Sequence, residues 1–231
     1  MSKLWTVLAL VVSAAGPVAA QQPQPTVVEL FTSQGCSSCP PADALFAELV
    51  QQPSVIGLAW HVDYWDYIGW ADTFGAPAHT ERQKAYATAR GEKMVYTPQM
   101  VVNGTLDVVG SDPADVAMAL QTGPKVSGAD VTLSRDGTSL EVDVRADTAL
   151  ADGATVELVH FVPEQTVSIE RGENAGRALS YSNIVVGWQR LALWDGREAL
   201  NLRLEVSPDL GVAVLIQDAA THQILGAAMQ R

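Results

Sequence analysis

At 231 residues, 48% of them hydrophobic and 17% charged, the chain can bury a sizeable core and carries no biased tract that would mark it as disordered. Its formal charge of −12, from 26 acidic against 14 basic residues, repels phosphate backbones and anionic membrane surfaces, and no basic patch offsets that field. Nucleic acid and anionic membrane are therefore excluded as expected partners.

Residues 1–20 read as a signal peptide. Lys3 supplies a positive start, residues 4–15 are almost entirely apolar, and Gly16 and Pro17 break the run before Val18-Ala19-Ala20. Small side chains there suit a signal peptidase, so cleavage is expected after Ala20, and the apolar run is too short to span a bilayer stably. With no second run long enough to cross, the mature chain is not expected to span a membrane, and its predicted location is periplasmic or secreted.

Residues 27–32 are rich in β-formers and predict a strand. A turn-like cluster at 33–38 follows, then Pro40 and Pro41, which suit the first turn of a helix because a missing N–H costs nothing there. Ala42, Leu45, Phe46 and Leu49 continue at helical spacing over 42–51. Residues 55–62 predict a second strand and 77–90 a polar second helix. Residues 100–102 and 105–109 flank Asn103-Gly104, the strongest short hairpin signal. Ser111 or Asp112 is placed to cap a last helix to 120. A helical crossover demands a parallel pair and the Asn-Gly turn an antiparallel one. The prediction for 26–121 is therefore a mixed four-stranded sheet with flanking helices.

After the Gly123-Pro124 joint the texture changes. Short alternating runs at 131–133, 140–144, 156–162, 167–169, 202–206 and 212–216 are separated by Asp-Gly turns, which predicts an antiparallel β-sandwich-like domain over 125–231.

The chemistry concentrates at Gly35-Cys36-Ser37-Ser38-Cys39-Pro40, where the first strand meets the first helix. A structural disulfide gains its value by closing a loop, and two intervening residues close very little. A thiolate on Cys36 would instead meet unpaired helix N–H groups and the helix dipole, conditions that lower a cysteine pKa from about 8.5 to roughly 3.5–7.5. Cys36 is then the attacking sulfur and Cys39 the resolving one, with Ser37 and Ser38 as accessory hydroxyls. Thr97-Pro98 opens the third strand beside them; a cis proline there would leave backbone groups to grip an extended substrate.

The run from Glu29 to Pro40, then Thr97-Pro98, then the Asn103-Gly104 hairpin resemble the thioredoxin superfamily, over about residues 26 to 121. That resemblance implies a nucleophilic Cys36, a resolving Cys39 and a cis Pro98; a threonine at 97 is familiar from periplasmic disulfide isomerases. The usual aromatic residue before the first cysteine is Gly35 here. Glu29 is the nearest candidate for the buried acid that relays a proton to the second cysteine, the alternative being that it points outward. The whole chain resembles an uncharacterised family of secreted bacterial proteins, domain-of-unknown-function family 1223. It does so on the string from Glu29 to Asp43, His61-Val62-Asp63-Tyr64-Trp65-Asp66 and Arg171-Gly172-Glu173-Asn174. This implies a thioredoxin-like fold with a β appendage and no settled activity.

His61, Asp63 and Trp65 leave the C-terminal end of the second strand, the edge where sites form in open α/β sheets. They either line the redox pocket or form a packed aromatic loop. His79, at the start of the second helix, is expected to face solvent. The glycine-flanked segment 171–177 is either a solvated loop or an element folded over Cys36. Three functions compete. The leading one is an exported thiol–disulfide oxidoreductase acting on client protein thiols or a redox partner protein, with no cofactor. The second is a periplasmic copper or zinc carrier using Cys36, Cys39 and His61 or His79. The third is a non-catalytic binding module.

Overall fold

The computed structural model describes residues 24–231, so the signal peptide expected over 1–20 lies outside the described residues. The first half follows the predicted order. Strand β1 (Thr26–Thr32) leads to α1 (Pro40–Leu49), then β2 (Val55–His61), a short 3-10 turn at Asp66–Ile68 and α2 (Pro77–Ala89). Next come β3 (Gln99–Val102), β4 (Leu106–Val109) and α3 (Pro113–Thr122). Local chemistry accounts for the boundaries. Asn103 and Gly104 both take positive φ in the β3–β4 turn, and Asp112 Oδ1 accepts the N–H groups of Ala114 and Asp115 to start α3.

The sheet does not stop at four strands. β5 (Asp130–Asp136), β6 (Ser139–Arg145), β7 (Ala154–Ser168), β8 (Ala178–Trp194), β9 (Leu200–Glu205), β10 (Gly211–Asp218) and β11 (Ile224–Gln230) make up the rest. Four of these join the first half in one eight-stranded mixed sheet, ordered β11-β10-β7-β8-β2-β1-β3-β4. The seam is β2 against β8, parallel, with Ala59 opposite Ile184. Beside it Asn183 adopts φ +45° and donates its side-chain amide to Gly57 O at 2.8 Å. Only β5, β6 and β9 form a separate antiparallel sheet. The predicted sandwich thus exists only where that small sheet packs Leu140, Val142 and Val144 on Val156, Leu158, Val212 and Val214 of the large one.

Strand alternation divides the large sheet into two faces. On one, Ala42 and Phe46 of α1 and Val116 of α3 cover Val28, Leu30, Ala59 and Met100. On the other, Phe31, Leu58 and Trp60 share a core with Tyr86 of α2 and with Val159, Phe161, Ala213 and Leu215 from beyond residue 125. Sheet and core therefore run across the Gly123-Pro124 joint. The β3–β4 turn also touches the start of β11. Asn103 O accepts the N–H of Ile224 at 3.0 Å, its side chain accepts from Val27 N–H, and its amide donates to Pro124 O. Gly104 (φ +78°) sits so close to His222 O that a side chain there would collide. Among the described residues no helix is long and apolar enough to cross a membrane.

Candidate functional site

Cys36 and Cys39 are joined by a disulfide in the turn between β1 and α1. Cys39 is fully buried, Cys36 is only 2% exposed, and Ser37 and Ser38 face solvent. Cys39 stands immediately before the first helical residue, Pro40. The expected collar of free helix N–H groups around Cys36 is thin, for a simple reason. Pro40 and Pro41 bring no N–H, and those of Ala42 and Asp43 both donate to Cys39 O, at 2.8 and 3.1 Å. What approaches the Cys36 sulfur is hydroxyl: Thr97 Oγ1–H donates to Sγ at 3.2 Å, and Ser38 Oγ lies 3.4 Å away. Thr97-Pro98 is cis, as the resemblance implies, and Pro98 O accepts the N–H of Gly110. Trp65 Nε1–H donates to Thr97 Oγ1 at 2.8 Å. Gly35 makes room for Trp65, since a Cβ at residue 35 would lie 3.2 Å from Trp65 Cβ.

Behind the cysteines lies a buried polar cluster that the sequence reading reached only through His61. Asp43, one helical turn after Cys39, accepts the Thr32 hydroxyl on Oδ1 at 2.8 Å, while Oδ2 has no partner. Burial pushes its carboxyl up to about 7, against the opposing pull of His61. His61 is fully buried between the rings of Phe74 and Tyr181, with centroids at 5.2 and 4.8 Å. Its Nδ1 meets Asp72 Oδ2 at 2.8 Å, and its Nε2 is unpaired. Burial acts to raise Asp72, but His61 and the N–H groups of Gln34 and Phe74 hold it below the usual carboxylate range. The Tyr181 hydroxyl is also unpaired. The signal for Asp43 was the spacing Cys39, Asp43, Phe46, one stripe of the helix; Asp72 and Tyr181 carried none.

The turn is gripped from two further directions. Gln34 N–H donates to Asp72 Oδ2 at 2.7 Å, and its side chain donates to Thr73 Oγ1 and accepts Trp70 Nε1–H, both at 2.8 Å. From the second half, Asn174 Nδ2 donates to both Gln34 O (2.9 Å) and Cys36 O (3.0 Å), while Arg177 holds its Oδ1. The 171–177 segment is thus no solvated loop at Asn174, which is 1% exposed.

Several expectations need correction. Glu29 points away from α1, onto the opposite face of β1. There it is fully buried, paired with Arg82 Nε at 2.6 Å and bound by the Tyr86 hydroxyl, so it cannot serve Cys39. Asp63 is turned toward α2, where it accepts the Thr80 hydroxyl. His79 is buried, not solvent-facing; its Nδ1 meets His61 O at 2.8 Å, its ring packs edge-on to Trp60, and burial lowers its pKa. The proposed metal set is not gathered here: the two sulfurs are bonded to each other, the His61 Nδ1 is taken by Asp72, and the His79 Nδ1 by the His61 backbone carbonyl. Among the described residues no three His, Cys, Asp or Glu side chains are placed to share an ion.

The profile of a family described as "Protein of unknown function (DUF1223)" matches residues 27–217. The crystal structure of protein AGR_C_4864 from Agrobacterium tumefaciens is 35% identical and superposes with a TM-score of 0.76, over 91% of this chain and 95% of that one. HBP35 of Porphyromonas gingivalis superposes with a TM-score of 0.63 over 92% of this chain and 76% of its own, at 13% identity, a likeness of fold alone. No functionally curated protein matches.

Proposed function

Because the chain belongs to DUF1223, a family of unknown function, no activity comes with its kinship, and we propose from the site itself that it is an exported thiol–disulfide oxidoreductase with a thioredoxin-like first half. The observation that carries this reading is a disulfide with a sequence separation of only three residues, closed at a helix start with hydroxyls on one of its sulfurs. Such a bridge does little to restrict the unfolded chain. An oxidising compartment beyond the inner membrane is where disulfides form and persist.

Reduced Cys36, as thiolate, attacks one sulfur of a client disulfide; that bond breaks, the client's other sulfur leaves as thiolate, and a mixed disulfide forms. Cys39 gives up its proton and attacks Cys36 Sγ. The client leaves with a second thiol, two electrons have passed to it, and Cys36–Cys39 is closed. Run backwards, the same steps oxidise a client dithiol. Asp43, with a carboxyl near neutrality one turn from Cys39, is poised to exchange that second proton.

The first prediction tests this assignment. Alkylation of reduced protein below neutral pH is expected to label Cys36 well before Cys39, and Cys39→Ser to trap mixed disulfides that Cys36→Ser does not. Equal, peptide-like labelling with no trapped partner would leave the pair a structural clip. Stoichiometric copper or zinc on the reduced protein, lost in His61→Ala or His79→Ala, would move the assignment to a metal carrier.

A further inference from the structure

We infer that Trp65 is a positioning residue that sets the acidity of Cys36 through the Thr97 hydroxyl. The inference rests on the oxidoreductase reading and adds to it a means of tuning the attacking sulfur. Trp65 Nε1, Thr97 Oγ1 and Cys36 Sγ lie in series, 2.8 and 3.2 Å apart. Donor chemistry fixes the direction of the first bond. An indole nitrogen only donates, so Thr97 Oγ1 must be the acceptor of the first bond. A threonine hydroxyl has one proton; with Trp65 on a lone pair, that proton is donated to Cys36 Sγ, the Tyr64 hydroxyl being the other group within reach of Thr97. Donation at one end strengthens donation at the other, because hydrogen bonds in series polarise each other in a low-dielectric setting.

The chain matters here because other sources of thiolate stabilisation are reduced. Pro40 and Pro41 delete two N–H groups at the start of α1, and the next two are spent on Cys39 O. Trp65 is also specifically seated. The absence of a side chain at Gly35 lets its Cβ and carbonyl approach to 3.2 and 3.3 Å of where a Cβ would stand. On its outer side the ring stacks at 6.5 Å on Tyr67, which is 81% exposed. The donor that biases Cys36 is therefore carried on a loop other than the one that holds the cysteines.

Cys36 ionisation in the reduced, full-length mature protein is followed by thiolate absorbance against pH. Loss of the direct bond in Thr97→Val is expected to raise the Cys36 pKa by roughly one to two pH units. Trp65→Phe, which keeps the ring and loses the donor, is expected to raise it by about half a unit. Thr97→Ser should restore most of the native value. The decisive comparison is the double variant. Acting only through Thr97, Trp65→Phe should add nothing in the Thr97→Val background, whereas an additive shift would overturn the inference. A measurement on the native protein does not depend on any variant folding: the Trp65 indole proton resonance should titrate in step with Cys36. A resonance indifferent to Cys36 ionisation, with Cys36 still acidic and Cys39→Ser still trapping clients, would defeat this inference alone. A native Cys36 that titrates like a peptide thiol would defeat it together with the oxidoreductase reading.

Discussion

Two clusters of buried charge lie on opposite faces of the same sheet and differ in how completely they are paired. On the α2 face, Arg82 donates from Nε to Glu29, from Nη1 to Glu157 at 2.9 Å and from Nη2 to the Tyr86 hydroxyl at 3.0 Å. Gln217 donates to Tyr86, Thr155 donates to Glu157, and the guanidinium lies over the rings of Trp60 and Trp188 at 4.7 and 5.2 Å. Every charged atom there has a partner, and the unpaired polar atoms beside it are the indole N–H groups of Trp60 and Trp188. On the α1 face, behind the cysteines, Asp43 Oδ2, His61 Nε2 and the Tyr181 hydroxyl have none. A closed network fixes geometry and resists change of charge, whereas open valences in a dry site leave room for a proton or a water to come and go. The first cluster fastens β1 to β7 and so unites the two halves. The second sits beneath sulfur atoms whose proposed chemistry requires protons to move.

The largest effect should come from cutting between the halves. Separate fragments of residues 26–121 and 125–231 are each expected to lack a cooperative thermal transition, since the cut opens the β2–β8 seam and divides the core on the α2 face. Two cooperatively melting fragments would make the shared core dispensable. Next in size is Arg82→Met, which strands Glu29 and Glu157. Breaking a buried pair in this way costs about 3–5 kcal/mol, readable as a fall in the denaturant midpoint, with the reduction potential of the cysteines unchanged. A shifted potential with native stability would mean that the two clusters communicate.

The remaining effect belongs to Asp43 and depends on pH. Its folded carboxyl titrates near 7 against 3.8 for an ordinary aspartate, so between those values the unfolded chain has lost a proton that the folded chain keeps. Its contribution to stability is whole below about pH 4 and is lost as pH rises to about 7, by at most about 4 kcal/mol. Asp43→Asn should flatten that slope while leaving stability at low pH near native. An unchanged slope would show that the open cluster does not take up the proton.

Much of the first half was legible because its signals are local. Asn103-Gly104 needs two left-handed residues, Asp112 caps the helix that follows it, and Pro40-Pro41 announces α1. The same prolines were read as compatible with a helix start rich in free N–H groups, although they remove two of them. What escaped is long-range. β8, the longest strand, mixes Ser180, Ser182, Asn183 and Gly187 into its run and shows little alternation, so its pairing with β2 had no local mark. α2 read as a polar helix because its inward face carries His79, Arg82 and Gln83, and the partners of Arg82, Glu29 and Glu157, lie on strands far away in sequence. Glu29 is the plainest case. Its burial was guessable from the apolar residues around it, but which face it occupied depended on α2 bringing Arg82 to one side of the sheet.

The grip of Asn174 on the Cys36 carbonyl reaches across 138 residues of chain. Contacts of such separation form late, since the entropy of closing a long loop has to be met before they return anything. The cysteines themselves are in place as soon as β1 and α1 meet, but their surroundings are finished only when Asn174, in the segment after β7, arrives. A nascent or half-folded chain therefore carries the two cysteines without the contacts that Asn174 adds to their turn. The Cys36–Cys39 turn thus has its full set of contacts only when residues from the second half of the chain are in place.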